Sequence, residues 1–130
     1  MKRQAIILRS SDDGKRQIAI DINNAHKIIE FIKANNLNKK FDLICRTILS
    51  DIRNTELYDK ENINHKCKNV TAMKFKGGKN SRIYCIEKKQ KGKIFTIIAS
   101  ELHKNKKNQK NKAKELNLIN KVGGYEYEII

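Results

Sequence analysis

The stretch from residue 70 to residue 102, VTAMKFKGGKNSRIYCIEKKQKGKIFTIIASEL, decides the fold. Val70 to Lys76, Arg82 to Glu87 and Ile94 to Leu102 follow a period of two and read as three consecutive strands. Gly77-Gly78 followed by Lys79-Asn80 makes the first connection, and Lys88-Lys89-Gln90-Lys91-Gly92 the second. Ile94-Phe95-Thr96-Ile97-Ile98-Ala99 is apolar on both faces, which places the third strand in the middle of a sheet. The first two strands are amphipathic. Alternation turns Met73 and Phe75 one way and Ala72, Lys74 and Lys76 the other. It gives Ile83 and Cys85 one face of the next strand, and Arg82 and Tyr84 the opposite one. If Met73, Phe75, Ile83 and Cys85 pack on helices, Lys74, Lys76, Arg82 and Tyr84 share an open cationic face.

Upstream, residues 3–9 and 17–22 read as a β-hairpin around Ser11-Asp12-Asp13-Gly14, since Asp-Gly reaches positive φ at little cost. Asn23-Asn24 can cap a helix whose stripe is Ala25, Ile28, Ile29 and Ile32. A second helix follows Asn38, with Phe41, Ile44, Cys45, Ile48, Leu49 and Ile52 on its apolar side. So short a connection implies an antiparallel helix pair over residues 23–53. Residues 54–68 look like a polar connection. Beyond Leu102 comes a lysine-rich run. A helix with Ala113, Leu116, Leu118, Ile119 and Val122 follows, ending at Gly123-Gly124. The tail 125–130 alternates like a strand. The expected architecture is a single α+β domain. It has an N-terminal hairpin (1–22), the helix pair (23–53), a three-stranded antiparallel twisted sheet (70–102), a C-terminal helix (105–122) and the tail.

The 130 residues carry a formal charge of +15, very unevenly spread. Residues 66–114 hold 16 basic and 2 acidic side chains, whereas residues 1–65 hold 12 and 9. Such a concentration is a footprint for a polyanion, nucleic acid first. A solvated lysine-rich surface is the plainer reading, but it does not explain why acids are missing from one segment. No run approaches a membrane span of ~18 apolar residues, and the first residues are too short an apolar run for a signal peptide. Three widely spaced cysteines, Cys45, Cys67 and Cys85, argue against a disulfide framework and for a reducing, cytoplasmic location. Cys45 lies on an apolar stripe and reads as a buried thiol. His65 and Cys67 lack a second ligand pair at zinc-finger spacing, so no metal is expected. His103 is the one histidine within the basic stretch, and imidazoles titrate near neutrality, which suits proton transfer. A lone histidine at a strand end is more often a bystander, and His26 is read that way.

Met73-Lys74-Phe75-Lys76, a Gly-containing turn, Arg82-Ile83-Tyr84-Cys85-Ile86, a hydrophobic strand, then Lys106-Lys107-Asn108-Gln109-Lys110 and a helix stand in this order. The segment resembles the C-terminal half of toxins of the RelE/ParE superfamily, nearest the RelE- and HigB-like members. The family's usual Lys-Lys-Thr-Gln-Lys has Asn108 in place of threonine here. The upstream half fits by pattern only, and the hairpin strand and tail are additions. The resemblance implies a RelE-like fold and a metal- and cofactor-independent endoribonuclease, an mRNA interferase acting on message at the ribosome. A ribose 2′-OH would attack the adjacent phosphate, aided by a base, cations and an acid.

By the same resemblance Arg82 holds the scissile phosphate, while Lys74 and Lys76 bind phosphate or supply a base. His103 is the acid or base. Lys104, Lys106, Lys107 and Lys110 touch the RNA backbone, and Tyr84 or a tail tyrosine (Tyr125, Tyr127) stacks on a base or packs structurally. The implied partner is an acidic or DNA-binding antitoxin encoded nearby. Two other functions stay open. One is a non-catalytic member of the same fold, such as a ParE-like gyrase inhibitor, and the other is a basic RNA- or ribosome-binding protein.

Overall fold

Period-two patterning makes strands wherever it occurs, and the computed structural model joins all of them into one sheet. It describes residues 2–77, 80–90, 93–104 and 112–130. The hairpin is β1 (Arg3–Ser10) and β2 (Arg16–Asp21), and its turn uses Gly14 at φ 71. Helices α1 (Ala25–Ala34) and α2 (Asn38–Leu49) follow. Next come β3 (Tyr58–Lys60), a 3₁₀ turn (His65–Cys67), β4 (Val70–Phe75), β5 (Ser81–Gln90) and β6 (Ile94–His103). The chain ends with α3 (Lys112–Gly123) and β7 (Tyr127–Ile129).

The protein is α+β with a seven-stranded sheet in the order β3-β4-β5-β6-β2-β1-β7. Its β3-β4-β5-β6 half is antiparallel, as the alternation implies. The expectation of a wholly antiparallel sheet is corrected, because β2 runs parallel to β6 and β7 parallel to β1. The cause is the long excursion through α1, α2, β3, β4 and β5. It brings the chain back beside β2 in the same direction, as parallel neighbours require. Strand β6, apolar on both faces, lies between β5 and β2. Residues 54–68 are not merely a polar connection, since β3 adds an edge strand there and Asn64 caps the 3₁₀ turn by accepting from the Cys67 N–H at 3.2 Å.

Both α1 and α2 pack on one face. Ile28, Phe31, Ile32, Phe41, Ile44, Cys45 and Ile48 bury against Ile18, Ile20, Met73, Phe75, Ile83, Cys85, Ile97, Ala99 and Leu102. The predicted Met73/Phe75/Ile83/Cys85 set is all here. Burial pushes the Cys45 thiol up to about 12 and the Cys85 thiol still higher, so neither is a nucleophile at neutral pH. The opposite face is not open. There α3 lays Ile119 and Val122 on Val70, Ala72, Tyr84 and Cys67, and Tyr127 covers Ala5, Ala19 and Ile98.

One irregularity positions the site. Tyr84 faces Glu101 but Cys85 faces Ala99, so Ser100 is an extra residue in β6. Strict alternation from Ile97 and Ala99 would send Glu101 and His103 into the helix-side core. The bulge resets the phase, so Leu102 joins that core and Glu101 and His103 turn to the α3 side. Asn24 stands at the N-terminus of α1, as expected, but its side chain does not cap the helix. Its Nδ2 donates to the Ser100 carbonyl at 2.7 Å, holding the bulge.

Candidate functional site

Three of the residues singled out by sequence stand in one row across three strands. Lys74 on β4 is directly opposite Arg82 on β5, and Arg82 is directly opposite His103 on β6. Directly opposed residues share a face with Cβ atoms ~4.5–5.5 Å apart. A lysine, an arginine and a histidine separated by up to 29 positions in the chain thus stand side by side on one face of the sheet.

Each is held. The Arg82 Nη1 donates to Glu61 Oε1 at 3.0 Å, with both side chains 15% exposed. His103 Nε2 lies 3.5 Å from Glu115 Oε1 of α3, at 14% and 9% exposure. That is within ion-pair distance for a protonated imidazole and long for a hydrogen bond. The Lys74 ammonium donates to the Thr55 carbonyl at 2.9 Å. The Tyr84 ring centroid is 6.3 Å from that of His103. Among the described residues, Arg82 Nε, Tyr84 Oη and His103 Nε2 are buried donors without a hydrogen-bond acceptor. A cluster of donors short of acceptors, beneath a helix and beside a loop, suits an oxyanion.

The remaining predicted residues fall differently. Tyr84 is fully buried, opposite Ala72 and Glu101, so it is corrected from a base-stacking candidate to a structural one. Burial, then the Glu61 and Glu115 carboxylates, push its phenol well above the ordinary tyrosine range, which also removes it as a base. Lys76 lies just past β4, exposed and ion-paired with Glu56, outside the row. Lys104 is exposed at the end of β6, and its carbonyl accepts from Ser81 Oγ at 2.6 Å. Lys106, Lys107 and Lys110 lie outside the described residues. The tail tyrosines are structural. Tyr127 donates to the buried Asp21 at 2.7 Å, and Tyr125 donates to Glu101 and sits beneath the Arg3 guanidinium. His26 is exposed on α1, away from the row.

Glu61 and Glu115 were not singled out from sequence. Glu61 follows a three-residue strand with no periodicity to register it, and Glu115 sits in a helix read for its apolar positions alone. The one available signal was scarcity, since few acids flank the basic stretch. Among the described residues no group of three His, Cys, Asp or Glu side chains could hold a metal ion, and no helix is long and apolar enough to cross a membrane. Comparisons with protein-family models, with curated proteins and with solved structures found no match to this chain.

Proposed function

We propose that the protein is a RelE-like endoribonuclease toxin that cuts message without a metal, by attack of a ribose 2′-OH on the adjacent phosphate. The observation that carries the reading is the cross-strand row Lys74–Arg82–His103. It gathers two fixed cations and an imidazole on one face, and those are the groups the reaction needs. Arg82 and Lys74 neutralise the crowded phosphorane. His103 gives a proton to the leaving 5′ oxygen, and Glu61, the carboxylate on Arg82, is placed to take the 2′-OH proton. The element order also supports the reading: after the hairpin β1–β2 come two helices, β3, the three antiparallel strands β4–β6 and a helix, which contains the order of a strand, two helices, an antiparallel sheet and a helix that the resemblance implies. The proposed setting is the cytoplasm, with mRNA on the ribosome as substrate and an acidic antitoxin as partner.

The test is cleavage of a defined message on purified ribosomes, with the new ends mapped. We expect discrete cuts carrying 2′,3′-cyclic phosphate. Arg82→Ala should lower the rate by about 10²–10³-fold, the usual loss when one charge-stabilising donor is removed. Cuts that persist undiminished in the Arg82→Ala, His103→Ala double variant would exclude this site. Salt-sensitive RNA binding without scission would leave the protein a basic RNA-binding module. Intact message with trapped gyrase–DNA complexes would instead place it with gyrase inhibitors.

A further inference from the structure

Resting on that reading of the row, we propose that α3 is a self-inhibitory cover. Glu115 occupies on His103 the position a substrate phosphate takes, and RNA engages by displacing the first turn of α3.

The two ends of α3 are held by different forces. Toward its C-terminus, Ile119 and Val122 are buried against Val70, Ala72 and Tyr84. Asn64 Nδ2 donates to Asn120 Oδ1 at 2.8 Å, and the Cys67 thiol reaches the Ile119 carbonyl at 3.6 Å. Gly123 lies so close that an added Cβ would stand 2.8 Å from Cys67 Sγ. In the described part of the first two turns, Ala113, Lys114, Leu116 and Asn117 are exposed and Glu115 alone is buried. This end is therefore fixed to the sheet by charge rather than by apolar area.

An anchor of that kind is exchangeable. A phosphate offers His103 and Arg82 the same class of acceptor oxygen as a carboxylate, with more charge and more oxygens. The polyanion also draws on the wider basic stretch, which Glu115 cannot match. The covered row is thus available to an RNA strand while smaller anions compete poorly with the tethered carboxylate. The buried donors Arg82 Nε and Tyr84 Oη lie under the same cover.

The experiment compares wild type with Glu115→Gln, which keeps the shape and removes the charge. A second variant, Gly123→Ala, pushes α3 outward from its far end and leaves Glu115 in place. Thermal melts first establish that each variant is folded. Carbethoxylation of His103 by diethyl pyrocarbonate, followed by peptide mass spectrometry, reads the cover without RNA, with exposed His26 and His65 as internal references. Affinity for a fully 2′-O-methylated RNA oligonucleotide reads binding, since it lacks the attacking hydroxyl. Both variants should raise the His103 modification rate and tighten binding, each about fivefold, the scale of one partly exposed ion pair.

Unchanged modification and binding in both folded variants would overturn the cover. So would weaker binding in Glu115→Gln, which would make Glu115 a support for the site. Faster modification with no RNA cleavage by any form would keep the cover and remove the ribonuclease. Cleavage by wild type with modification unmoved would do the reverse.

Discussion

Against α1 and α2 the sheet presents Ile18, Ile20, Met73, Phe75, Ile83, Ile97 and Leu102, all buried and apolar. Against α3, at the level of the row, it presents Lys74, Arg82, Tyr84, Glu101 and His103. Neighbours in the chain belong to opposite worlds: Ile83 lies between Arg82 and Tyr84, and Leu102 between Glu101 and His103. The helix side spends every position on packing, whereas the α3 side keeps charges together under a cover. Stability should therefore concentrate on one face and chemistry on the other, and several perturbations separate them.

The largest expected effect comes from the bulge that keeps the faces apart. With the bulge in place, exchanging Glu101 and Leu102 (Glu101→Leu with Leu102→Glu) puts a carboxylate into the helix-side core and a leucine on the α3 side. A carboxyl group in an apolar layer costs several kcal/mol, and the exchange also removes a buried leucine from it, so the double variant should be unfolded at 25 °C, as far-UV circular dichroism would show. A folded, cooperative exchange variant would mean that the phase of β6 is not what separates the faces.

Alkali comes next. Burial raises the thiols of Cys45 and Cys85 on the helix side, and the phenols of Tyr58, Tyr84 and Tyr127. A raised folded-state pKa gives stability that is complete below the unfolded value and is lost as pH climbs past it. The unfolded thiols ionise near 8.5 and the phenols near 10, so loss begins above about pH 8.5 and steepens above about pH 10. By about pH 11 the two thiols alone remove roughly 7 kcal/mol, at about 1.4 kcal/mol per group per pH unit. Urea midpoints from pH 8 to 11 should fall accordingly, with tyrosinate absorbance appearing together with unfolding. Cys45→Ala with Cys85→Ala should move the onset up by about 1.5 units, to where the tyrosines take over. An unmoved onset would place the sensitivity on the α3 side.

Truncating Ile83 to alanine should cost about 2–5 kcal/mol by urea denaturation, because it is fully buried in the helix-side cluster. Arg82→Ala, one residue away, should cost about 1 kcal/mol, since its partner Glu61 keeps some access to water. Equal costs would erase the distinction between the faces.

The same contrast explains what could be read from the chain. Period-two alternation is local, so the split of Met73, Phe75, Ile83 and Cys85 from Lys74, Arg82 and Tyr84 was visible in the residues themselves. The partners of a strand are not local. Nothing in Gln17-Ile18-Ala19-Ile20 announces a parallel neighbour 79 positions on, at Thr96–Ala99. Tyr58–Lys60 is too short for a period to show, so β3 and the carboxylate after it were missed. The face of His103 depends on an extra residue that alternation cannot anticipate. In hindsight Ala99-Ser100-Glu101-Leu102 holds the trace, two apolar residues three apart in a strand of period two. The cover was missed because the apolar stripe of α3 says that it packs, but not on which surface.

The smallest effect is the sharpest test of the contrast, because its sign differs between the faces. On the helix side every truncation should destabilise, since each atom removed leaves a hole among close-packed neighbours. Tyr84 is as buried as any residue there, yet its hydroxyl has no acceptor among the described residues and lies between the carboxylates of Glu61 and Glu115 and the Arg82 guanidinium. A buried hydroxyl without a partner carries a desolvation cost of about 1–3 kcal/mol that nothing returns. Tyr84→Phe removes one oxygen and keeps the ring on Val70, Ala72, Ile119 and Val122. It should leave stability unchanged or raise it by up to about 1 kcal/mol, measured by urea denaturation at pH 7. Under the proposed ribonuclease reading, any effect on RNA cleavage should be far smaller than that of Arg82→Ala, because burial keeps the phenol from acting as a base. A loss of 2 kcal/mol or more would show that the hydroxyl is engaged, and that the α3 side is packed and satisfied as thoroughly as the other.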